Sequence, residues 1–213
     1  MDENNLKIWL VPLWMKLQPI SFQEELIARK LEKRKQREFI HSRGYARLAL
    51  SEIFKMAPLE VPLIAPPGKP PKLLNNSGYL SISHCKNALL LGWSPNPIGV
   101  DIELINRSFN AKKLVNRFYS EAEIDDLAML KGEELRIKVL ELWVVKEASV
   151  KLKRSNLALN LNQWEWKKEE LIATHKSFGD RLNIKMIEFQ GWIIAIAFES
   201  ESVDINPLIC FRN

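Results

Sequence analysis

The sequence predicts an α+β chain arranged in two lobes, and three observations carry the prediction. A strand–turn–strand pattern occurs twice, at 80–93 and again at 182–198 around Gln190-Gly191. Helical stretches precede each pair, 39–50 in the first half and 135–151 in the second. Pro95-Asn96-Pro97 falls between the halves and reads as a hinge, because proline removes ladder donors and blocks helix. The expected division is therefore 1–96 and 97–213, held as one compact unit. With 213 residues, 46% of them hydrophobic, the chain has enough apolar side chains for a sizeable core.

Residues 6–14 read as a first strand. Ser21 reads as a helix N-cap, with Glu24 three residues on completing a capping box. The helix it opens is expected to carry the charged stretch 29–38, mostly as a solvated face. In 39–50, Arg43 and Arg47 lie four apart on one helical stripe with Phe39, while Leu48, Ile53 and Phe54 supply the core side. Two neighbouring guanidinium groups would make a phosphate clamp. Residues 58–71 are rich in proline and read as loop, with Gly68-Lys69-Pro70 as either a turn or part of a stiff linker. Residues 79–85 alternate, so Leu80 and Ile82 face one way and Ser81 and Ser83 the other. His84 ends that strand, where a histidine is more often a plain surface residue, and Cys85 reads as a small packing residue. Residues 88–93 return as the second arm of a hairpin. After the strand at 98–103, Ser120 and Glu123 form a second capping box and open a helix. Lys131-Gly132 interrupts, and Leu135, Val139, Leu142 and Trp143 then set the period of a long central helix. Past Leu152 the chain turns β-rich, and its Trp164, Trp166, Ile172, Ile184, Met186, Ile187, Phe189 and the run 192–198 read as core.

The formal net charge of +5 suits acidic partners: nucleic acid, phosphorylated metabolites or an acidic protein surface. Two cysteines, Cys85 and Cys210, imply no disulfide framework and point to a reducing cytoplasm. Residues 1–5 carry no basic stretch, and the apolar run 8–13 is short and broken by Pro12, so neither a signal peptide nor a membrane span is expected.

The chemistry concentrates in two stretches. Ile98-Gly99-Val100-Asp101-Ile102-Glu103 has period two, so Asp101 and Glu103 share one face and Val100 and Ile102 the other. Two like charges side by side repel. They are stable on a solvated edge strand, or with a cation between them. A hard divalent ion fits the second case, because Mg²⁺ takes carboxylate oxygens and keeps positions open for phosphate and water. Downstream, Trp143, Glu147 and Lys151 follow at i, i+4 and i+8 on one helical stripe. The plain alternative there is a core tryptophan beside an exposed Glu–Lys pair. If Glu147 instead comes up against the acidic face of the strand, the site gains a third carboxylate, and Lys146 and Lys151 bring positive charge for a phosphorylated substrate.

The two stretches together form Gly-Val-Asp-x-Glu, a gap of 41 residues between Asp101 and Trp143, then Trp-x-x-Lys-Glu-x-x-x-Lys. This pattern resembles the 4′-phosphopantetheinyl transferase superfamily, and the length resembles its larger, two-lobed surfactin-synthetase type. Arg43 and Arg47, the Gly68-Lys69-Pro70 turn, Ser83-His84 and the stretch 117–123 are similar to family segments as well. The resemblance implies a pseudo-dimer of two similar α+β lobes, each a small antiparallel sheet packed with a long helix, with coenzyme A between them. It implies attack by a carrier-protein serine on the β-phosphorus of coenzyme A, transfer of the phosphopantetheine arm, and loss of 3′,5′-ADP. Asp101, Glu103 and Glu147 would then hold Mg²⁺, with Mn²⁺ as the alternative, and Glu147 and Lys151 would be catalytic. Arg43, Arg47, Gly68, Lys69, Pro70, Ser83, His84, Lys146 and Lys151 would bind the coenzyme. The implied partner is an acidic apo carrier protein, met by a monomer that binds neither membrane nor nucleic acid. The sequence departs from the family at Val144, where members often have a small hydroxyl or thiol residue. That position adjoins the packing side of the helix, so the change concerns packing more than chemistry.

Two other classes compete. A non-catalytic coenzyme- or carrier-binding module would not need all three carboxylates and Lys151. A basic nucleic-acid-binding protein would leave the Asp-x-Glu strand unexplained, since acids in a backbone-binding groove oppose affinity.

Overall fold

The computed structural model describes residues 6–155, 160–199 and 209–211, so the reading of residues 1–5 lies outside the described residues. The first half runs β1 (Lys7–Pro12), α1 (Phe22–Ala28), α2 (Lys33–Phe54), two short strands β2 (Leu63–Ile64) and β3 (Lys72–Leu73), and a hairpin of β4 (Tyr79–His84) and β5 (Ala88–Ser94). The second runs β6 (Ile98–Leu104), α3 (Ala111–Phe118), α4 (Glu121–Leu127), α5 (Gly132–Leu152), β7 (Trp164–Lys167), β8 (Ile172–His175), β9 (Arg181–Phe189) and β10 (Trp192–Phe198). A last strand, β11 (Ile209–Cys210), follows.

The class is α+β. One sheet has the order β11-β1-β5-β4 and the other β6-β10-β9-β8-β7, antiparallel throughout except that β11 lies parallel to β1. Both halves share a connectivity. A first strand is followed by a long helix and then a hairpin whose second arm returns beside that first strand, β5 beside β1 and β10 beside β6. Both expected hairpins form. Gln190 and Gly191 turn the second one with φ of 48° and 83°, the left-handed pair that a two-residue hairpin loop requires.

Among the described residues, three apolar cores hold the sheets and their long helices, and a small fourth, Ile20, Ala28 and Phe39, joins α1 to α2. One lies under α2 and includes Trp9, Tyr45, Leu50, Leu91 and Trp93. Another lies under α5 and includes Val139, Val145, Val150, Trp164 and Ile193. The third joins the two sheets through Ile8, Leu10, Leu90, Val100, Ile102 and Ile194. Burying each such side chain contributes about 1.5–3 kcal/mol, so the contact between the two sheets adds to stability as helix packing does. Val144 sits fully inside the α5 core, on the packing side as expected.

Both capping boxes are present. The Ser21 amide donates to the Glu24 carboxylate at 2.8 Å and the Glu24 amide to Ser21 Oγ at 3.3 Å; Ser120 and Glu123 repeat the arrangement at 3.0 and 3.3 Å. Four features depart from the sequence reading. The helix opened by Ser21 does not carry 29–38: it ends at Ala28, and a second begins at Lys33. The break lets α1 fold back on α2, where Gln36 Nε2 donates to the Ala28 carbonyl at 3.1 Å. The proline-rich loop contains the small β2–β3 pair. Helix α3 was not foreseen, although Asn110 caps it by accepting from the Lys113 amide at 3.0 Å. Residues 209–210, assigned by sequence to the second lobe, pair with Trp9 and Leu10 in the first sheet.

Candidate active site

Gly99 decides how closely α5 lies on β6. A Cβ there would stand 1.9 Å from the Ala148 carbonyl oxygen and 2.7 Å from the Leu152 nitrogen, so only glycine lets the helix backbone rest directly on the strand. That approach sets the last turns of α5 over Asp101. Lys151 Nζ donates to Asp101 Oδ1 at 2.6 Å and to Ser83 Oγ at 2.9 Å, and stands 3.3 Å from Glu147 Oε2. Ser83 Oγ donates to the same Asp101 oxygen at 2.5 Å. The neighbouring Ser81 Oγ accepts from the Val100 amide at 3.0 Å, so the polar face of β4 ties the edges of the two sheets together. Helix α5 and strands β6 and β4 thus meet at one lysine.

The charges at this meeting are strongly perturbed. Burial pushes the Glu147 carboxyl up to about 7; the repulsion of Asp101 adds to this and the attraction of Lys151 opposes it. Glu103 also rises to about 7, by burial first, with Arg107 drawing it down and Asp101 pushing it up. Burial works against the charge on Lys151, but Asp101 and Glu147 together outweigh it and hold its pKa above the ordinary lysine range.

The three acids offer only carboxylate oxygens, the donor set a hard divalent ion takes. Asp101 is buried, and its Oδ2 has no hydrogen-bond partner among the described residues. Both observations fit a metal. Among the described residues, however, no three ligating side chains form a closed cluster. Lys151 stands between Asp101 and Glu147, and Arg107 NH1 bonds Glu103 Oε1. The donors are right for a cation, and in this arrangement the chain's own cations hold them.

A cavity of about 750 Å³ opens beside Lys151. Its walls are α2 (Lys35, Glu38, Phe39, Ser42, Arg43), the turn with Gly68, Lys69 and Pro70, strand β4 (Leu80, Ser81, Ile82, His84), and the end of α5 (Lys151, Arg154, Ser155). Five cationic side chains against one carboxylate give the cavity a positive lining, and its volume is of nucleotide size. Arg43 donates from Nε to the Ala65 carbonyl at 2.8 Å and from NH1 to Ser42 Oγ at 2.9 Å, with its guanidinium 4.5 Å over the Phe39 ring. Burial pushes its pKa down to about 10, which leaves it charged at neutral pH. His84 is lowered from its ordinary value by burial, which outweighs the nearby Glu38.

Not every expected residue reaches the cavity. Arg47 does not stand beside Arg43 as a phosphate clamp. It is buried, bonded through two nitrogens to Glu24 at 2.8 and 3.1 Å and to the carbonyls of Val61 and Leu63 at 2.9 and 3.2 Å. A shared helical stripe fixed the backbone direction, but the buried Glu24 of α1 took up this guanidinium. Lys146 likewise points away. Its ammonium is fully buried, pairs with Glu123 at 2.6 Å, and donates to the carbonyls of Leu161, at 3.2 Å, and Trp164. Successive helix residues are about 100° apart, so Lys146 and Glu147 serve opposite tasks. Ser83 stands behind the cavity wall, bonded to Asp101 and Lys151. Trp143 packs edge-on to Phe118 at 5.4 Å in the core, as the plain alternative had it. Sequence reasoning missed Arg107, whose spacing of four from Glu103 was a visible signal, and Glu38 and Arg154, for which there was none.

The cation-lined cavity thus ends at a lysine held by two carboxylates. Residues 97–197, which contain Asp101, Glu103, Glu147 and Lys151, match the model of the 4′-phosphopantetheinyl transferase superfamily. The chain is also similar to a protein of Synechocystis sp. named as a candidate 4′-phosphopantetheinyl transferase, at 28% identity over 167 residues, 74% of this chain and 68% of that one. Through this segment the chain is similar to the 4′-phosphopantetheinyl transferase superfamily.

Proposed function

We propose that this protein moves the 4′-phosphopantetheine arm of coenzyme A onto a serine of an apo carrier protein and releases 3′,5′-ADP. The observation that carries the reading is the convergence of Asp101 and Glu147 on Lys151 beside a cation-lined cavity, inside the segment matched to the superfamily. Arg43, Lys69 and His84 hold coenzyme phosphates, with Gly68 and Pro70 shaping the adenosine end. As the serine oxygen bonds to the β-phosphorus, Glu147 takes its proton, directly or across one water. A carboxyl near 7 is matched to that task at neutral pH. The bond from the β-phosphorus to the departing oxygen of 3′,5′-ADP breaks, and Lys151 stabilises the charge left there. Asp101, Glu103 and Glu147 would hold Mg²⁺ or Mn²⁺, and when bound such an ion supplies positive charge against the diphosphate.

The net charge of +5 favours docking of an acidic carrier of the fatty-acid, polyketide or peptide type. A cytoplasmic monomer suits this reading. Among the described residues no helix is long and apolar enough to cross a membrane. The test is intact-mass analysis of apo carrier proteins incubated with the protein, coenzyme A and Mg²⁺. One carrier should gain the phosphopantetheine mass, and Glu147→Gln should abolish the gain. No gain on any carrier removes the transferase reading, and a full gain with Glu147→Gln removes the role given to that residue.

A further inference from the structure

Helix α5 ends in a Schellman arrangement. The Ser155 amide donates to the Val150 carbonyl at 3.2 Å and the Arg154 amide to the Lys151 carbonyl at 3.1 Å, with Arg154 itself left-handed at φ 52°. Glycine is the default at that position, because a Cβ there meets steric strain. This chain places an arginine in it. The guanidinium lies 5.4 Å over the Tyr79 ring and lines the cavity beside Lys151. No carboxylate of the described residues pairs with it. Lys55 closes α2 in the same conformation, φ 54°, yet does not line this cavity, so a left-handed cation at a helix end can serve the helix dipole alone. What sets Arg154 apart is that its strained backbone aims an unneutralised charge along the ligand's wall. Strain of this kind persists where the side chain is needed.

We infer that Arg154 is a substrate-binding residue, contacting a phosphate group of coenzyme A; this rests on reading the cavity as the coenzyme site. The Tyr79 ring fixes the plane of the guanidinium and leaves its N–H edge for phosphate oxygens. Its backbone strain then trades stability for affinity, and the two can be separated by substitution.

The experiment is calorimetric titration of coenzyme A into the full chain and into Arg154→Gln and Arg154→Gly, with a thermal melt of each. Both variants should bind about ten-fold more weakly, the loss expected when one charged contact goes. Arg154→Gly should melt about 2–4 °C above Arg154→Gln, because glycine relieves the left-handed strain. Wild-type affinity in both variants overturns the inference, and a lower melt for Arg154→Gln in that case assigns Arg154 to the helix end alone. Failure of the unsubstituted chain to bind coenzyme A overturns the coenzyme reading itself, and this inference with it.

Discussion

Replacing Gly99 by alanine tests whether the site depends on the close approach of α5 to β6. The new Cβ would lie 1.9 Å from the Ala148 carbonyl oxygen, where no real Cβ comes within 3.0 Å of a neighbour, so the helix must lift by about 1 Å or tilt. Lys151 rides on that helix. Its 2.6 Å bond to Asp101 and 2.9 Å bond to Ser83 would stretch to the limit of hydrogen-bond range or break. The same lift loosens Val145, Ala148, Val150 and Leu152 in their core. Overpacking of this kind costs about 1–3 kcal/mol, or roughly 2–12 °C in Tm for a chain of this size. A displacement of about 1 Å at a reacting group costs on the order of a hundred-fold in rate. The assay is the rate of carrier-protein modification, measured well below the melting temperature, beside a thermal melt. A Gly99→Ala protein with wild-type rate and wild-type Tm refutes the reasoning. A lowered Tm with an unchanged rate refutes the link from helix position to chemistry.

Two further outcomes are expected. Glu103 and Glu147 have folded-state pKa values raised to about 7, so each favours the folded state in its protonated form; that stability is full below the unfolded value of 4.5 and is lost as pH rises through 7. The two carboxyls repel each other and Asp101, so they share one loss, on the order of a few kcal/mol for the pair. In chelator, the protein should therefore melt several degrees lower at pH 8 than at pH 5.5, and Mg²⁺ at pH 8 should restore it; equal melts at the two pH values count against the crowding of acids. Arg47→Ala and Lys146→Ala each leave a buried glutamate unpaired and should cost about 3–5 kcal/mol, read as a fall in Tm. Arg43→Ala should instead weaken coenzyme binding with a small change in Tm. Weak binding with an unchanged melt for Arg47→Ala would return that residue to the phosphate site.

What the sequence determined by itself was local or periodic. The capping boxes at Ser21 and Ser120, the hairpins at 80–93 and 182–198, and the shared face of Asp101 and Glu103 follow from spacing along one element, where geometry repeats every few residues. Spacing also put Glu147 and Lys151 one helical turn apart, but the resemblance to a known family is what singled them out. Tertiary structure alone decided where each charge finds its partner. Arg43 and Arg47 share a stripe, yet one lines the cavity and the other is taken by Glu24 on a different helix. Lys146 and Glu147 are adjacent, yet Glu123 and two carbonyls draw the lysine inward while the glutamate faces Lys151. A buried charge is stable only beside groups that neutralise or solvate it, and those groups come from segments remote in sequence. No pattern within one helix can announce them, and they settle which lysine or arginine is left to meet a ligand.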